Sequence, residues 1–191
     1  MVLQILAEGR WPTPDDSNDP NDSEGLEPPP LPGFTSSSFN PLVAVAAERC
    51  LRAGFGDRAV PDRTALLLTS RSGDRATARA IDTAAQADRR MPPLLFFQSN
   101  PNAVLGHIAA RHRLTGPVVA VSPGPAVSDN PGEVPSDAMA LAELLLADGD
   151  ADLVLVIAAE QADPADPAVL TVPAGHPAQH DRAVAVLVRS A

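Results

Sequence analysis

Read for its alternation of apolar and polar positions, the chain changes character at Pro41. Ahead of it, Val2 to Ala7 is a short apolar run that predicts a strand, followed by "GRWPTPDDSNDPNDSEGLEPPPLPGFTSSSFNP". A stretch so rich in Pro, Asp, Ser and Asn cannot bury enough apolar surface to offset its ordering entropy, so a loop or disordered insert is expected at about 12–34. Its run Pro28 to Pro32 favours polyproline II and reads as a spacer. Trp11, Leu31 and Phe34 are the residues able to pin its ends to the body.

From Pro41 onward the periods of helix and strand alternate. A helix is expected over 41–53, capped by Asn40, entered at Pro41 and stopped near Gly54. "ALLLTS" at 65–70 is a continuous apolar run of the kind a sheet covered on both faces requires. A polar helix with a solvated face follows at about 74–89, carrying Arg75, Arg79, Asp82 and Arg89. "LLFFQ" at 94–98 reads as apolar and extended, and Asn100 or Asn102 caps a helix running to about His112. "PVVAVS" at 117–122 reads as a second buried strand. Ser136 or Asp137 then opens "AMALAELLLA", a helix apolar almost all the way round and therefore buried on more than one side. Strands at 152–159 and 182–190 complete a β-α-β-α-β-α-β-β order, which predicts an α/β fold: a mixed five-stranded sheet with helices on its faces.

Composition narrows the partners. At 191 residues one domain spanning 1–191 is expected. A net charge of −10 argues against nucleic acid and against an anionic membrane, since both demand concentrated positive charge. No run approaches the roughly 20 apolar residues of a membrane span, and the N-terminus lacks a basic region and a secretory core, so a cytoplasmic protein is expected. All 14 basic residues are Arg, which with the abundant Ala and Pro reads as a GC-rich coding background. A single cysteine, Cys50, excludes an internal disulfide and any multi-cysteine metal site.

Candidate chemistry is sparse. Ser122, Ser128 and Ser136 are nucleophile candidates only if a base and an oxyanion hole reach them, and there is no G-x-S-x-G elbow. His107 and His112 lie on one predicted helix, where a structural role is the simpler reading. His176 and His180, with Asp181, have i,i+4 spacing, but Pro177 interrupts it and no H-E-x-x-H pattern accompanies it, so no metal site is expected. Asp148, Asp150 and Asp152 read as solvated carboxylates at a helix end, and 163–167, "DPADP", as a turn cluster. Without G-x-G-x-x-G or a P-loop lysine, no cofactor is expected.

Over 95–160 the residues resemble those of a known family. Asn102, Gly106, Ile108, Ala109, Gly116 and Pro117 fit a pattern N-x-x-x-G-x-I-A-x-x-x-x-x-x-G-P ahead of the strand, and "GPVVAVS", the Ala/Leu helix and "GDADLVLVIAAEQ" follow in order. This resembles the N-terminal half of the thiolase-fold condensing enzymes, closest to the β-ketoacyl synthase-like N-terminal domains. The resemblance implies half of a thiolase-like fold.

Two departures qualify what it implies about activity. Condensing enzymes carry a nucleophilic Cys just after this strand, where a helix N-terminus lowers the thiol pKa; here "SPGPAVSDNPGEVPSDAMA" holds none. The family's catalytic His residues belong to a C-terminal half that this chain does not span. Cys50, late in the first helix, reads as a small buried hydrophobe.

The resemblance therefore implies a non-catalytic ketosynthase-like accessory protein of bacterial polyketide or fatty-acid-type biosynthesis, without a condensing step of its own. Its expected partners are a second copy or a ketosynthase-type protein, and an acyl carrier protein. Leu141, Leu144 and Leu145 on the apolar helix are the expected interface, and the strand at 117–122 the expected pairing edge. The alternative is a small acyl-thioester-processing enzyme of hydrolase or dehydratase type, with Ser122 and His107 as candidates.

Overall fold

The computed structural model describes residues 2–16, 26–87, 90, 93–124, 133–162 and 180–191. Five strands form one mixed sheet: β1 (Leu3–Trp11), β2 (Thr64–Thr69), β3 (Val118–Val121), β4 (Leu153–Glu160) and β5 (Arg182–Ser190), in the order β1-β5-β4-β2-β3. β4, β2 and β3 pair in parallel, and β5 runs antiparallel to both β4 and β1. Five α-helices are described: α1 (Phe39–Phe55), α2 (Arg75–Gln86), α3 (Pro93–Gln98), α4 (Pro101–His112) and α5 (Ser136–Ala147).

The parity of the strand residues explains the layers. Leu66, Leu68, Leu155, Ile157, Ala185 and Leu187 face α1 and α4, packing with Leu42, Val43, Ala47, Val104, Leu105 and Ile108. The alternate residues Ala65, Leu67, Val154, Val156, Val184 and Val186 face α5 through Ala138 and Ala142. Successive side chains of a strand point to opposite faces, so a run such as "ALLLT" must be covered twice. The small residues of α1 let it lie close on the sheet. At Gly9 of β1 a Cβ would come within 2.3 Å of the Cys50 nitrogen and 2.5 Å of the Ala46 oxygen, so only glycine admits the helix there.

Four local expectations are corrected by the structure. Asn40 does not cap α1, which begins at Phe39 with Ser37 Oγ accepting from the Phe39 N–H at 3.1 Å. Asn40 is instead buried, and its Nδ2 donates to the Gln98 carbonyl at 3.2 Å, a contact across 58 residues that no local pattern announces. "LLFFQ" is helical rather than extended, because Pro93 suits a first helical turn and a short apolar run does not fix its own period. The strand of "PVVAVS" is not interior: among the described residues β3 pairs on one side only, and Val118 is 39% exposed. α5 buries one face rather than several, with Leu144 left 58% exposed. Asn100 does cap α4, accepting from Asn102 N–H at 3.0 Å.

The ends of the 12–34 segment are fastened as the sequence suggests. Trp11 and Phe34 are buried, and Leu31 pairs with Phe34. Arg49 of α1 forms the fastening at the first end. Its guanidinium lies 4.8 Å from the Trp11 ring centroid, donates to the Arg10 carbonyl, and grips both carboxylate oxygens of Asp16 at 2.7 and 2.5 Å. Residues 17–25 lie outside the described residues.

The Asp16 clamp makes stability pH-dependent. The Arg49 hydrogen bonds hold the Asp16 carboxyl down at about 2, against the opposing effect of burial and with help from Thr13. With its folded pKa depressed, Asp16 contributes fully above about pH 4, and the contribution is lost as pH falls through 2. Asp16→Asn is expected to cost about 1–2 kcal/mol at pH 7. Urea unfolding of the two proteins should converge toward pH 2; a constant gap would rule out the charged pair as its source.

Candidate functional site

In a sheet whose parallel strands are joined by helical crossovers, the strand C-termini open on one rim, and that is where a ligand crevice forms. At the ends of β2 and β3 the structure has a cleft of about 240 Å³. Phe39, Leu68, Ala120 and Val121 give it apolar walls, while Ser70, Arg71, Ser72, Gly73, Pro101 and Ser122 complete the lining. Strand parity directs Leu68 and Ser70 toward the α1/α4 face, so the cleft lies on that side.

A hydrogen-bond network fixes the rim. Glu160, ending β4, accepts from the Arg71 N–H at 2.5 Å and from Ser72 Oγ at 2.8 Å. Ser70 Oγ accepts from Gly73 N–H at 2.9 Å, shaping the turn into α2. Asp74 caps α2 through Thr77 N–H and Thr77 Oγ1, at 2.9 and 2.7 Å, and accepts from Ser37 Oγ at 2.6 Å. Gln161 Nε2 donates to Ser38 Oγ at 2.9 Å and to Ser37 Oγ at 3.2 Å. Ser38 in turn donates to Asp181, which also receives the Ala162 N–H at 2.9 Å. Four chain segments are thus locked together, and these serines and carboxylates are occupied in holding them.

None of Ser37, Ser38, Glu160, Gln161 or Asp74 stands out in the sequence as a site residue. The available signal was positional: polar residues directly after apolar runs, as in "LLLTSRSGD" and "VLVIAAEQ", fall at the strand ends where sites form.

The sequence candidates are scattered. Ser122 is exposed on the cleft, with no side-chain hydrogen bond among the described residues. His107 is not part of the cleft lining; its ring stands edge-on to Phe34 at 5.8 Å between centroids. His112 is held by Glu48 at 2.9 Å, across the α1–α4 contact. Ser122 therefore has no base in hydrogen-bond reach among the described residues, and a serine nucleophile needs one. Ser136 is exposed in the first turn of α5, where Asp137 accepts from the Gly124 N–H at 2.8 Å and closes the described part of the β3–α5 connection. Ser128, His176 and the 163–167 turn lie outside the described residues. His180 is partly buried, and its Nε2 has no hydrogen-bond partner among the described residues.

Among the described residues no group of three or more His, Cys, Asp or Glu side chains is arranged to hold a metal ion. Asp152 instead pairs with Arg63 at 3.2 Å on the surface. The thiol of Cys50 is buried in α1 against the Ala7 carbonyl, and burial pushes it up to about 12, so it stays protonated and unreactive at neutral pH.

The motif positions divide by role. Asn102 and Gly106 are exposed on α4, and a Cβ at Gly106 would meet nothing within 4 Å. Gly116 sits where the α4–β3 turn crosses β2: a Cβ there would come within 2.5 Å of the Thr64 oxygen. Pro117 presents its carbonyl to the Leu66 N–H at 2.8 Å, starting the β2–β3 register. Of the expected interface residues, Leu141 and Leu145 are half-buried against the sheet and Leu144 points out. Among the described residues no helix is long and apolar enough to cross a membrane.

Comparison with known proteins agrees with this architecture. No protein-family model and no curated protein matches the chain. Among solved structures, a chain of a ketosynthase in complex with its chain length factor from Xenorhabdus doucetiae superposes with a TM-score of 0.66. It shares 22% identity, over 100% of this chain and 80% of that one. The ishigamide ketosynthase/chain length factor gives 0.64 and 22%, over 84% of this chain and 46% of that one. A β-ketoacyl synthase from Burkholderia phymatum gives 0.62 and 18%, over 88% and 47%. The chain has the thiolase-like fold of the ketosynthases, and it spans about half the length of the latter two matches.

The two motif glycines should behave oppositely. Gly116→Ala is expected to destabilise by about 1–3 kcal/mol through overlap with β2. Gly106→Ala, in open space within a helix, is expected to stabilise by about 0.5–1 kcal/mol. Thermal melting of both variants checks the pair, and a neutral Gly116→Ala would contradict the close approach.

Proposed function

We propose that this chain is a non-catalytic ketosynthase-like accessory subunit of polyketide or fatty-acid-type biosynthesis, which associates with a ketosynthase-type protein through the β3 edge. The observation that carries the reading is the contrast between the two edges of the sheet. β1 is defended in the usual ways, by a bulge between Ile5 and Ala7 and by the charged Glu8 and Arg10. β3 is Val118-Val119-Ala120-Val121, without charge or bulge, and among the described residues bonded to β2 alone. An apolar edge left open to solvent invites strand pairing, and a matching strand of a partner satisfies it.

The buried, protonated Cys50 and the absence of any cysteine between β3 and α5 support a role without thioester formation. A partner that is itself a ketosynthase is supported by the likeness to chains from ketosynthase/chain length factor assemblies. The exposed Leu144 on α5 offers a second contact, and the cleft beside Ser122, with its apolar walls, is where a growing acyl chain would lie. An acyl carrier protein is the expected carrier of that chain. A cytoplasmic location in a bacterium suits such a role.

One observation favours a second reading. Ser122 is exposed on a preformed cleft, as a small acyl-thioester hydrolase or dehydratase would need.

Mass spectrometry of an acyl-loaded carrier protein incubated with this chain separates the two. The expected result is an unchanged carrier mass; loss of the acyl group or of water, abolished by Ser122→Ala, would establish the enzyme. In cells, Ser122→Ala and His107→Ala are expected to leave pathway output within about twofold, whereas Leu144→Asp lowers it at least about tenfold if contact rather than chemistry is what matters.

A further inference from the structure

Residues 26–36, ahead of α1, lie as a strap over the α1/α4 side of the molecule without joining the sheet. The strap is closed on itself. Leu31-Pro32-Gly33-Phe34 fits a type II turn, with Pro32 at its second position, Gly33 at φ +86° and the Phe34 N–H donating to the Leu31 carbonyl at 3.0 Å. Its largest side chain is its anchor. Phe34 is buried and stands edge-on to His107 of α4, and Leu26 and Leu31 pack partly buried beside the core, while Pro32, Gly33, Thr35 and Ser36 are exposed.

Gln98 joins the strap to the cleft. Its side chain, 3% exposed at the end of α3, donates from Nε2 to the Gly33 carbonyl, and its own carbonyl accepts from Asn40 Nδ2 at 3.2 Å. Asn40 follows Phe39 directly and Gln98 stands three residues before Pro101, and both Phe39 and Pro101 line the cleft. The junction is incompletely satisfied. Asn40 Oδ1 and Gln98 Oε1 are buried without a hydrogen-bond partner among the described residues. Turning either amide over would set its oxygen against a carbonyl, so the donating nitrogens fix both orientations. A buried acceptor without a donor disfavours the state that buries it, and movement of the strap away from Gln98 returns that acceptor to solvent.

We propose that the 26–36 strap opens as a unit in the native protein, and that its opening is coupled through Gln98 to the Phe39 and Pro101 walls of the cleft. The inference goes beyond the role proposed above and does not depend on it. Closed, the Gly33 carbonyl holds Gln98, the end of α3 is fixed, and Pro101 keeps its place in the cleft wall. Open, Gln98 loses that acceptor and Pro101 is free to move relative to Phe39. Linkage makes the effect reciprocal: an apolar ligand that parts Phe39 from Pro101 loosens the strap, and anything that draws Phe34 out widens the cleft.

Amide hydrogen exchange of the isotopically labelled full chain, read by NMR, tests both parts. The Phe34 N–H reports the strap. The Asn100 and Ala103 N–H groups, bonded to the Phe97 and Asn100 carbonyls, report the cleft side, and Leu67 and Val156 report the core. In the wild-type chain Phe34 is expected to exchange at least about tenfold faster than the core pair, at least about tenfold slower than an unprotected amide, and with a weaker urea dependence than the core. Gln98→Glu keeps the size of the side chain but loses the donor to Gly33, and Phe34→Leu weakens the anchor. Each is expected to speed exchange at residue 34 and at Asn100 and Ala103 by about tenfold relative to the core.

Exchange of Phe34 at the same rate and urea dependence as Leu67 and Val156 would show that the strap opens only with the whole fold. An unprotected Phe34 would show that it is not closed. Either result overturns the proposal. Faster exchange at residue 34 in both variants, with Asn100 and Ala103 unchanged relative to the core, would overturn the coupling to the cleft.

Discussion

No residue of β2 is more than 1% exposed, and both of its edges are bonded, to β4 on one side and β3 on the other. Most of the molecule follows from satisfying that strand. Side chains pointing both ways require cover on both faces, supplied by α1 and α4 on one side and α5 on the other. Parallel neighbours require crossovers, so helices must lie between β2 and β3 and between β3 and β4. The crossovers place the C-termini of β2, β3 and β4 on one rim, where Ser70, Ser122 and Glu160 lie at or just past the strand ends. Gly116 belongs to the same constraint, since the backbone entering β3 must pass against the Thr64 carbonyl.

What the sequence could reveal was what local physics controls. Continuous apolar runs marked β2 and β4, because burial on two faces leaves no polar alternation. Asn100 ahead of Pro101 marked the start of α4, because capping is a contact of near neighbours. The resemblance over 95–160 supplied the half-thiolase order, which apolar periodicity alone does not distinguish from other α/β folds.

What stayed hidden depends on partners far along the chain. Asn40 reads as a cap until Gln98 arrives to claim it, 58 residues later. Whether "VVAV" lies inside a sheet or at its edge is decided by the neighbour on its far side, which leaves no mark on the strand itself, and only the resemblance pointed to an edge. "LLFFQ" has too few residues to show a period, so its helical form depends on Pro93 before it and the anchored Gln98 at its end. The rim network joins residue 37 to 74 and 161, and residue 38 to 161 and 181, separations at which sequence patterning carries no signal. The scatter of Ser122, His107 and His112 among unrelated contacts was equally unreadable, since each is an ordinary residue in an ordinary local setting.

The distribution of polar and apolar groups separates support from contact. The serines and carboxylates of the rim are almost all engaged in mutual hydrogen bonds that hold loops, which is a poor starting point for acid–base work because an occupied group must first be released. The one thiol is withdrawn into α1, where its small size matters and its nucleophilicity does not. Most large apolar side chains fill the core, but Phe96, Phe97, Leu94, Val118 and Leu144 are exceptions that face outward. Burying a large apolar side chain is worth about 1.5–3 kcal/mol, so leaving several unburied forgoes stability comparable to a domain's whole margin. That free energy is recovered only where another surface covers these side chains, so the exposed apolar positions are where association would add most to the stability of the fold.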